Sequence, residues 1–570
     1  MNYIPGANRL QMVLFPEMLD DLVSYDNPVR VIDEFVNHLD LGKLGFIKTD
    51  LNPYLAGRPS YSPECLLKLY IYGCFKKVRS SRKLMEMCSS SVEMMWLMCR
   101  LTPDFRTISD FRKDNKSAIK KVFKAFTKMC AEIGLYNTEV GVQDGSKFNA
   151  MNSKDNNVTI NKLEKKLKMA EEEISKYLDE LDKNDKDESD EPKYTKEEIE
   201  KMLEKLRAQK EKYNNYLNEM KEAGETQISF TDPESRLMKM ANGGFDVSYN
   251  VQIVVDPESH MIGAFEVTNQ CNDMGQLSPV TEGLKEDLAI NVMDVVADKG
   301  YLDKADMLKC IMNGTIPHVP SKSGEESCEF EIEYKEATIT EELLSSTKSE
   351  DIQTCLEAGV VPDVYKDKDI EVTVHEGTQV ILPSEEAPKL KFTLNEEGTA
   401  VICPNGSELS KVARLYKKDK TRFTSRAACK KCEDKCTTSV FKQVDLKDGQ
   451  MVLYTNKMQI VKNVKKVKIK LTPDKGKIRN RKCVVEHPFG TIKQWCDGSY
   501  TLLTGKEKVS ADMALLLLQY NIKRAINMVG TQELIKRMRD LAWGIMCAFS
   551  HFFQNTKKLY SRLIFSVILS

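Results

Sequence analysis

Three acidic residues stand in settings where a carboxylate is costly unless it binds something. Asp144 and Asp298 each end a mostly apolar run, Val-Gly-Val-Gln-Asp and Val-Val-Ala-Asp. Glu486 stands alone in an apolar and basic stretch, and Lys493 follows it by seven residues. A buried carboxylate needs a counter-charge or a metal ion. Since oxygen-only ligand sets favour Mg²⁺ or Mn²⁺, the three acids predict a carboxylate metal site.

A second group has the spacing of thiolate metal ligands. Cys429, Cys432 and Cys436 are separated by two and three residues, and Cys403 lies upstream as the fourth candidate. Four thiolates suit a tetrahedral structural zinc ion, although iron–sulfur clusters use similar spacings. Four ordinary thiols remain the alternative, because Cys403 has no second cysteine beside it.

Composition bounds the classes to which this chain can belong. The 570 residues are 41% hydrophobic and 30% charged, enough for several domains with sizeable cores. Lys plus Arg number 84 and Asp plus Glu 85, so the net charge of -1 decides nothing about nucleic acid. With no signal-peptide pattern and no long uncharged apolar run, we expect a cytoplasmic protein whose sixteen cysteines are reduced.

The elements that would carry the acids follow from hydrophobic periodicity. Residues 1–134 are typical of a helical domain: Ser62-Pro63 predicts a helix start, and Thr107 to Asp110 resembles a capping box before Phe111. The segments predicted for the core that follows are a strand over 140–144, a hairpin over 245–255 and 261–267, a helix over 275–288, a strand over 292–297, a helix over 304–312 and a strand over 315–319.

Two insertions and a C-terminal part complete the predicted organisation. Heptad-like spacing over 158–224, broken by an acidic loop, indicates an antiparallel coiled-coil hairpin. Residues 321–470 are typical of a β-rich insertion that contains the cysteines and nearby basic residues. The core would resume over 471–530, with a helix from Met513 to Met528, and a helical tail would cover 531–570. We expect Pro488 to lie near a helix start, with Glu486 in the preceding turn.

The order of these elements predicts an α+β or α/β fold with a mixed, RNase H-like sheet. Its core would span 135–320 and 471–530, interrupted by the two insertions. Acids far apart in sequence meet at the edge of such a sheet. Two Mg²⁺ ions about 3.5–4 Å apart would then activate a water or 3′-hydroxyl for in-line phosphoryl displacement.

Several motifs in this order resemble the DDE transposases of bacterial insertion sequences. The segments that carry the resemblance are GRPSYSPECLLKLYIYG at 57–73, TPDFRTISDFRK at 102–113, QDGSKF at 143–148, TDPESRLM at 231–238, YNVQ at 249–252, ADKGY at 297–301 and EHPFGTIK at 486–493. The resemblance implies that Asp144, Asp298 and Glu486 are the catalytic, metal-holding triad. It implies binding of terminal repeats in double-stranded DNA, cleavage, strand transfer and at least a dimer in the active complex.

The resemblance also assigns DNA contacts around the glutamate. The residues predicted to bind DNA are Arg479, Arg481, Lys482 and Lys493. The family often has Tyr and Arg seven and four residues before the glutamate, whereas this chain has Arg479 and Lys482. The alternatives are an RNase H-like nuclease that cleaves without joining and a catalytically silent DNA-binding relative. A coiled-coil scaffold would explain 158–224 and none of the acids.

Overall fold

The computed structural model describes most of the chain, which forms two compact units. The first contains residues 1–326, 347–349 and 473–570, and the second 327–346 and 350–472. The described residues are 18–49, 60–152, 156–184, 195–222, 224–240, 242–321, 326–381, 393–395, 397–403, 406–412, 421–431, 443–447, 450–453, 460–496 and 498–541.

The first unit begins with a helical region. After a 3₁₀ turn at Leu19–Leu22, its helices are α1 (Val29–Asn37), α2 (Leu41–Leu44), α3 (Pro63–Phe75), α4 (Ser81–Ser90), α5 (Val92–Leu97), α6 (Phe105–Asp114) and α7 (Lys116–Glu132). The predicted start of α3 is confirmed, since the Ser62 hydroxyl accepts from the Glu64 N–H. The capping box at Thr107 was wrong. Asp104 caps α6 instead, because its carboxylate accepts both the Arg106 and Thr107 N–H groups.

A mixed sheet follows the helical region. The strands of the first unit are β1 (Val140–Asn149), β2 (Asn157–Thr159), β3 (Gln227–Ser229), β4 (Arg236–Lys239), β5 (Phe245–Val255), β6 (Ile262–Thr268), β7 (Met293–Val296) and β8 (Thr315–His318). The sheet runs β4-β5-β1-β7-β8, with β6 also paired to β5. β1 is antiparallel to β5 and parallel to β7, and β7 is parallel to β8. The fold of this unit is therefore mixed α/β.

Most predicted elements of this core are confirmed, with one consequential exception. The long alternating strand, its hairpin partner and the strand before Asp298 are β5, β6 and β7. The short strand ending at Asp144 was wrong, because β1 continues to Asn149 and pairs Asp144 with Ile253 of β5. Asp144 and Gly145 therefore lie in the interior of a strand. Hydrogen bonds between β1 and β5 outweigh the preference of an Asp-Gly pair for a turn.

A helical hairpin leaves the sheet after β1. It consists of α8 (Ile160–Asn184) and α9 (Lys196–Glu222), and β2 and β3 pair at its base. Leu163 and Leu167 pack in one cluster with Tyr213 and Met220 of the other helix. An ion pair of 2.8 Å between Lys210 and Glu171 also joins the two helices. The two packed helices are as predicted; their supercoiling stays a prediction. Helices α10 (Leu277–Leu288) and α11 (Lys304–Met312) then flank β7 in sequence.

The second unit is rich in β-structure. Its elements are β9 (Cys328–Glu333), α12 (Glu341–Ser345), α13 (Ser349–Glu357), β10 (Ile370–Ile381), β11 (Thr393–Leu394), β12 (Ala400–Ile402), β13 (Glu408–Lys411), β14 (Thr421–Thr424), α14 (Arg426–Lys431), β15 (Gln443–Lys447), β16 (Gln450–Leu453) and β17 (Ile460–Leu471). One sheet runs β10-β17-β9 and the other runs from β11 to β16 in chain order.

The chain returns to the first unit with α15 (Lys475–Gly490), a π-helical turn (Thr491–Trp495) and α16 (Lys506–Val529). The expectation that a helix starts near Pro488 was wrong, because α15 begins thirteen residues earlier, capped by Asp474. Pro488 has no N–H to donate to the carbonyl of Val484, four residues before it. The Nδ1 of His260 lies 3.4 Å from that carbonyl oxygen, where the tautomer with a proton on Nδ1 can replace the missing donor.

The apolar helix α16 forms the centre of the first unit's core. It contacts α3, α7 and β6, and nearly every residue from Val509 to Ile522 is buried. Residues 531–541 continue as helix, and the rest of the predicted helical tail lies outside the described residues. Within the described part of the chain, no helix is both long and apolar enough to cross a membrane.

Candidate active site

The sheet register brings Asp144 and Asp298 to the same place. In the parallel pair of β1 and β7, Val142 lies opposite Val296. Both acids follow two residues later, and the period of two in a strand puts them on the same face at the same end of the ladder. The Asp298 Oδ1 accepts the Gly300 N–H at 2.7 Å, which orients this carboxylate at the start of a 3₁₀ turn.

The surroundings of Asp144 disfavour its negative charge. Burial raises the pKa of Asp144 to about 6, and the nearby carboxylates of Asp298 and Asp273 push it in the same direction. The Arg481 guanidinium and the Gly145 N–H oppose this rise in pKa. A group of acids that repel one another in a partly buried position is relieved by a bound cation.

Arg481 forms an ion pair with Asp144. Its Nη1 lies 3.6 Å from the Asp144 Oδ2, and its side chain is only 17% exposed. Within the described residues, this nitrogen has no hydrogen-bond partner. The other two basic residues predicted on α15, Arg479 and Lys482, are exposed to solvent. The helix therefore directs one arginine at the acids and leaves its neighbours accessible.

Glu486 lies apart from the two aspartates. Its side chain is 66% exposed and pairs with the Lys482 Nζ at 3.7 Å. Five residues along an α-helix correspond to about 140° of rotation, so Glu486 points well away from Arg481. In the parts of the chain that the structure describes, no three His, Cys, Asp or Glu side chains form a metal-binding group. Carboxylate oxygens of Asp144 and Asp298 nevertheless fit the ligand preference of Mg²⁺ or Mn²⁺.

Sequence reasoning missed a third acid beside the pair, Asp273. Its Oδ1 accepts the side-chain amides of Asn250 at 2.8 Å and Gln252 at 2.7 Å. The Lys147 Nζ lies 3.7 Å from the same oxygen. Asp273 lies in a polar run five residues after the end of β6, so the pattern that selected Asp298, an acid that directly ends an apolar run, does not find it.

The motif residues around Asp273 are packed together by a glycine. A Cβ on Gly145 would lie 2.6 Å from the Asp273 Oδ1 and would overlap the Gln252 amide. Gln252 also accepts a hydrogen bond from the buried hydroxyl of Tyr301. Burial and the negative charges of the three nearby aspartates raise the pKa of this hydroxyl. The residues of YNVQ, QDGSKF and ADKGY thus form one network, which fixes Asp273 next to Asp144 and Asp298.

Lys493 contacts β1 directly beyond Gly145. Its Nζ donates to the Ser146 Oγ at 2.6 Å and to the Lys147 carbonyl at 2.8 Å, and it stands 4.7 Å above the Phe148 ring. Burial, and then the charge of Lys147, lowers the pKa of Lys493 to about 8. Because the π-helical turn changes the helical phase, Lys493 turns toward β1 whereas Glu486 faces solvent.

The predicted cysteine site falls largely outside the described residues. Cys432, Cys436 and the side chain of Cys429 belong to that part. Cys403 is half-buried and packs against the apolar cluster of the second sheet. The structural zinc site therefore stays a prediction.

Two family models match this chain. The model described as Transposase domain (DUF772) matches residues 17–114, the region of α1 to α6. The model described as Transposase DDE domain matches residues 402–526, which contain Glu486 and Lys493. Searches of curated proteins and of solved structures give no significant match. The two matches, which follow each other in chain order, support an insertion-sequence DDE transposase.

Proposed function

We propose that Asp144 and Asp298 hold the divalent metal of this transposase, Mg²⁺ or Mn²⁺. DDE transposases generally use divalent metal ions. The observation that carries the proposal is the adjacency of two carboxylates at the end of β1 and β7, where burial and mutual repulsion raise the pKa of Asp144. When bound, two such ions activate the attacking hydroxyl and stabilise the leaving oxygen of a phosphodiester.

The surrounding residues prepare this pair for a cation. The Gly300 N–H orients Asp298, and the Gly145 N–H binds the Asp144 Oδ1 at 2.9 Å. Arg481 provides positive charge before a metal binds, at a distance that does not form a hydrogen bond. Lys493 fixes the backbone of β1 just beyond Asp144 and presents a half-buried positive charge for the DNA backbone.

We propose Glu486, rather than Asp273, as the third acid of the site. Glu486 lies within the match to the DDE domain and on the helix that carries Arg481, close to the irregular end formed by Pro488 and the π-helical turn. A local rearrangement of this end on binding DNA would bring it to the aspartates. Asp273 is held by two buried amides, which makes it a positioning residue for the end of β1.

The mixed sheet supports an RNase H-like core for this enzyme. An antiparallel hairpin, β5 and β6, lies beside the parallel strands β1, β7 and β8, as the sequence plan requires. We further propose that the N-terminal helices bind the terminal repeats and that α8 and α9 contribute to a dimer that brings two ends together. Bacterial cytoplasm would be the site of action.

Cleavage and strand transfer on labelled DNA from the element's ends test the acids. With Mg²⁺, the wild type should release a 3′-hydroxyl and join it to target DNA. Asp144→Asn, Asp298→Asn and Glu486→Gln should each abolish both products while DNA binding persists. Asp273→Asn should slow cleavage without abolishing it.

Glu533→Gln is the matched control, because Glu533 also pairs with a basic residue four positions away and its side chain is 43% exposed. Full cleavage by Glu486→Gln together with none by Asp273→Asn would make Asp273 the third acid. Cleaved but unjoined products from the wild type would indicate a nuclease. Binding without cleavage would indicate a catalytically silent relative.

A further inference from the structure

A lysine-lined cleft opens beside the candidate active site, on the first unit. It has a volume of about 510 Å³, and its walls include Lys147, Lys239, Lys493, Ser146, Met240 and Cys271. β4 pairs with residues 245–248 of β5 and β6 pairs with residues 250–255, so the two strands share one edge of β5. The cleft lies near the place where these two short partners meet.

Positive charge predominates in this cleft. Lys147 pairs at 3.7 Å with Asp273, and Lys239 is exposed at the end of β4. Lys493 is half-buried, and its hydrogen bonds go to neutral oxygens of Ser146 and Lys147. Three ammonium groups around one opening repel one another, and the described residues that line the cleft include no acid. An anion in the cleft would relieve this repulsion.

We infer that this cleft binds a phosphodiester of the DNA strand that is cut, through Lys147 and Lys239 in addition to Lys493. The inference rests on the proposed function. Gly145 lines the cleft and directly follows Asp144, so a phosphate held there lies on the strand that carries the metal-binding acid. Lysine contacts to phosphate carry no base information. The cleft would therefore hold the strand in position regardless of its sequence.

The salt dependence of DNA binding tests the two new lysines without any chemistry. Binding of a labelled duplex of about 30 base pairs is measured in EDTA over a range of salt concentrations. Lys147→Gln and Lys239→Gln should each reduce the slope of log K against log salt by about 0.9. Lys221→Gln, an exposed lysine on α9, should leave the slope unchanged. Slopes for both cleft variants equal to that of Lys221→Gln would overturn the inference.

Cys271 gives a second measurement that does not depend on folding of a variant. This exposed thiol lines the cleft, whereas the exposed Cys99 at the end of α5 does not. Bound DNA should slow alkylation of Cys271 at least several-fold and leave Cys99 unchanged, as followed by mass spectrometry of the wild-type chain. Equal alkylation of Cys271 with and without DNA would overturn the inference.

The outcomes separate this inference from the proposed function. If cleavage requires Asp144 but DNA neither protects Cys271 nor gives a changed salt slope with the lysine variants, the inference about the cleft is wrong and the proposed metal site stands. If DNA protects Cys271 and the lysine variants have reduced salt slopes, but the wild type does not cleave DNA, the cleft is a DNA-binding site and the proposed catalytic function is wrong.

Discussion

Replacing Asp144 by asparagine should make the metal-free protein more stable while removing its activity. Burial and two neighbouring acids raise the pKa of Asp144 from an ordinary value of 3.8 to about 6. The ionised side chain is therefore less stable in the folded protein than in water. Asparagine carries no charge and avoids this cost, so a residue kept for function would be a local source of instability.

The size of the effect follows from the pKa. Each tenfold change in proton affinity corresponds to about 1.4 kcal/mol, so the rise to about 6 is worth at most about 3 kcal/mol. The Asp144 side chain is 25% exposed, and water at the site reduces this figure. At about 2 °C per kcal/mol in a unit of this size, Asp144→Asn should raise the melting temperature by up to about 6 °C.

The sign of the pH dependence follows from proton binding. Between pH 3.8 and about 6, the folded protein holds a proton on Asp144 that the unfolded chain has lost. The stability of the wild type therefore falls as pH rises through this range. Asp144→Asn lacks this contribution, so the two proteins should be equally stable near pH 4 and differ fully above pH 6.

Thermal unfolding of the full chain in EDTA, at several pH values, measures the difference. Mg²⁺ at about ten times its dissociation constant should then stabilise the wild type by about 1.4 kcal/mol and leave Asp144→Asn unchanged. Asp110→Asn, at an exposed position of α6, should change stability by less than about 0.5 kcal/mol. An Asp144→Asn protein that is less stable than the wild type at pH 7.5 would refute the reasoning.

Three further outcomes are expected. Gly145→Ala should lower the free energy of unfolding by about 1–3 kcal/mol, because the new methyl overpacks the site. Gly283→Ala, in helix α10 with nothing within 4 Å of the new methyl, should leave this free energy unchanged or raise it. Chemical denaturation compares the two variants. Asp512→Ala should cost about 3–5 kcal/mol on thermal unfolding, because it removes the buried carboxylate that pairs with Arg79 and Arg112. Simultaneous apolar replacement of Arg79 and Asp512 should recover most of that loss. At limiting Mg²⁺, the cleavage rate should fall on the acid side with a midpoint near pH 6, because Asp144 must ionise to bind the metal. At high Mg²⁺ this midpoint should move to lower pH. A midpoint that does not change with Mg²⁺ would show that Asp144 does not bind the metal.

Local patterns in the sequence predicted elements whose formation depends on near neighbours. Period-two alternation identified β5, and a serine before a proline identified the start of α3. The segment 292–297 was predicted as a strand that delivers Asp298, and β7 does so. These predictions succeed because alternation and capping are satisfied within a few residues, whatever the rest of the chain does.

Contacts between distant segments overrode local preferences elsewhere. Asp144-Gly145 has the composition of a turn, yet pairing with β5 extends β1 through it. Pro488 has the composition of a helix start, yet α15 continues through it, with His260 near the carbonyl left without a donor. In both cases, partners more than a hundred residues away supply what the local sequence lacks.

The sequence by itself determined the kinds of residue available for the proposed chemistry: two aspartates after apolar runs, a glutamate and its lysine, and the motifs around them. Only the tertiary structure decided which of them meet. The parallel register of β1 and β7 aligns Asp144 with Asp298, the loop after β6 adds Asp273, and α15 turns Arg481 rather than Glu486 toward the pair. Such choices depend on sheet register and helix rotation, which long-range packing fixes and no local pattern contains.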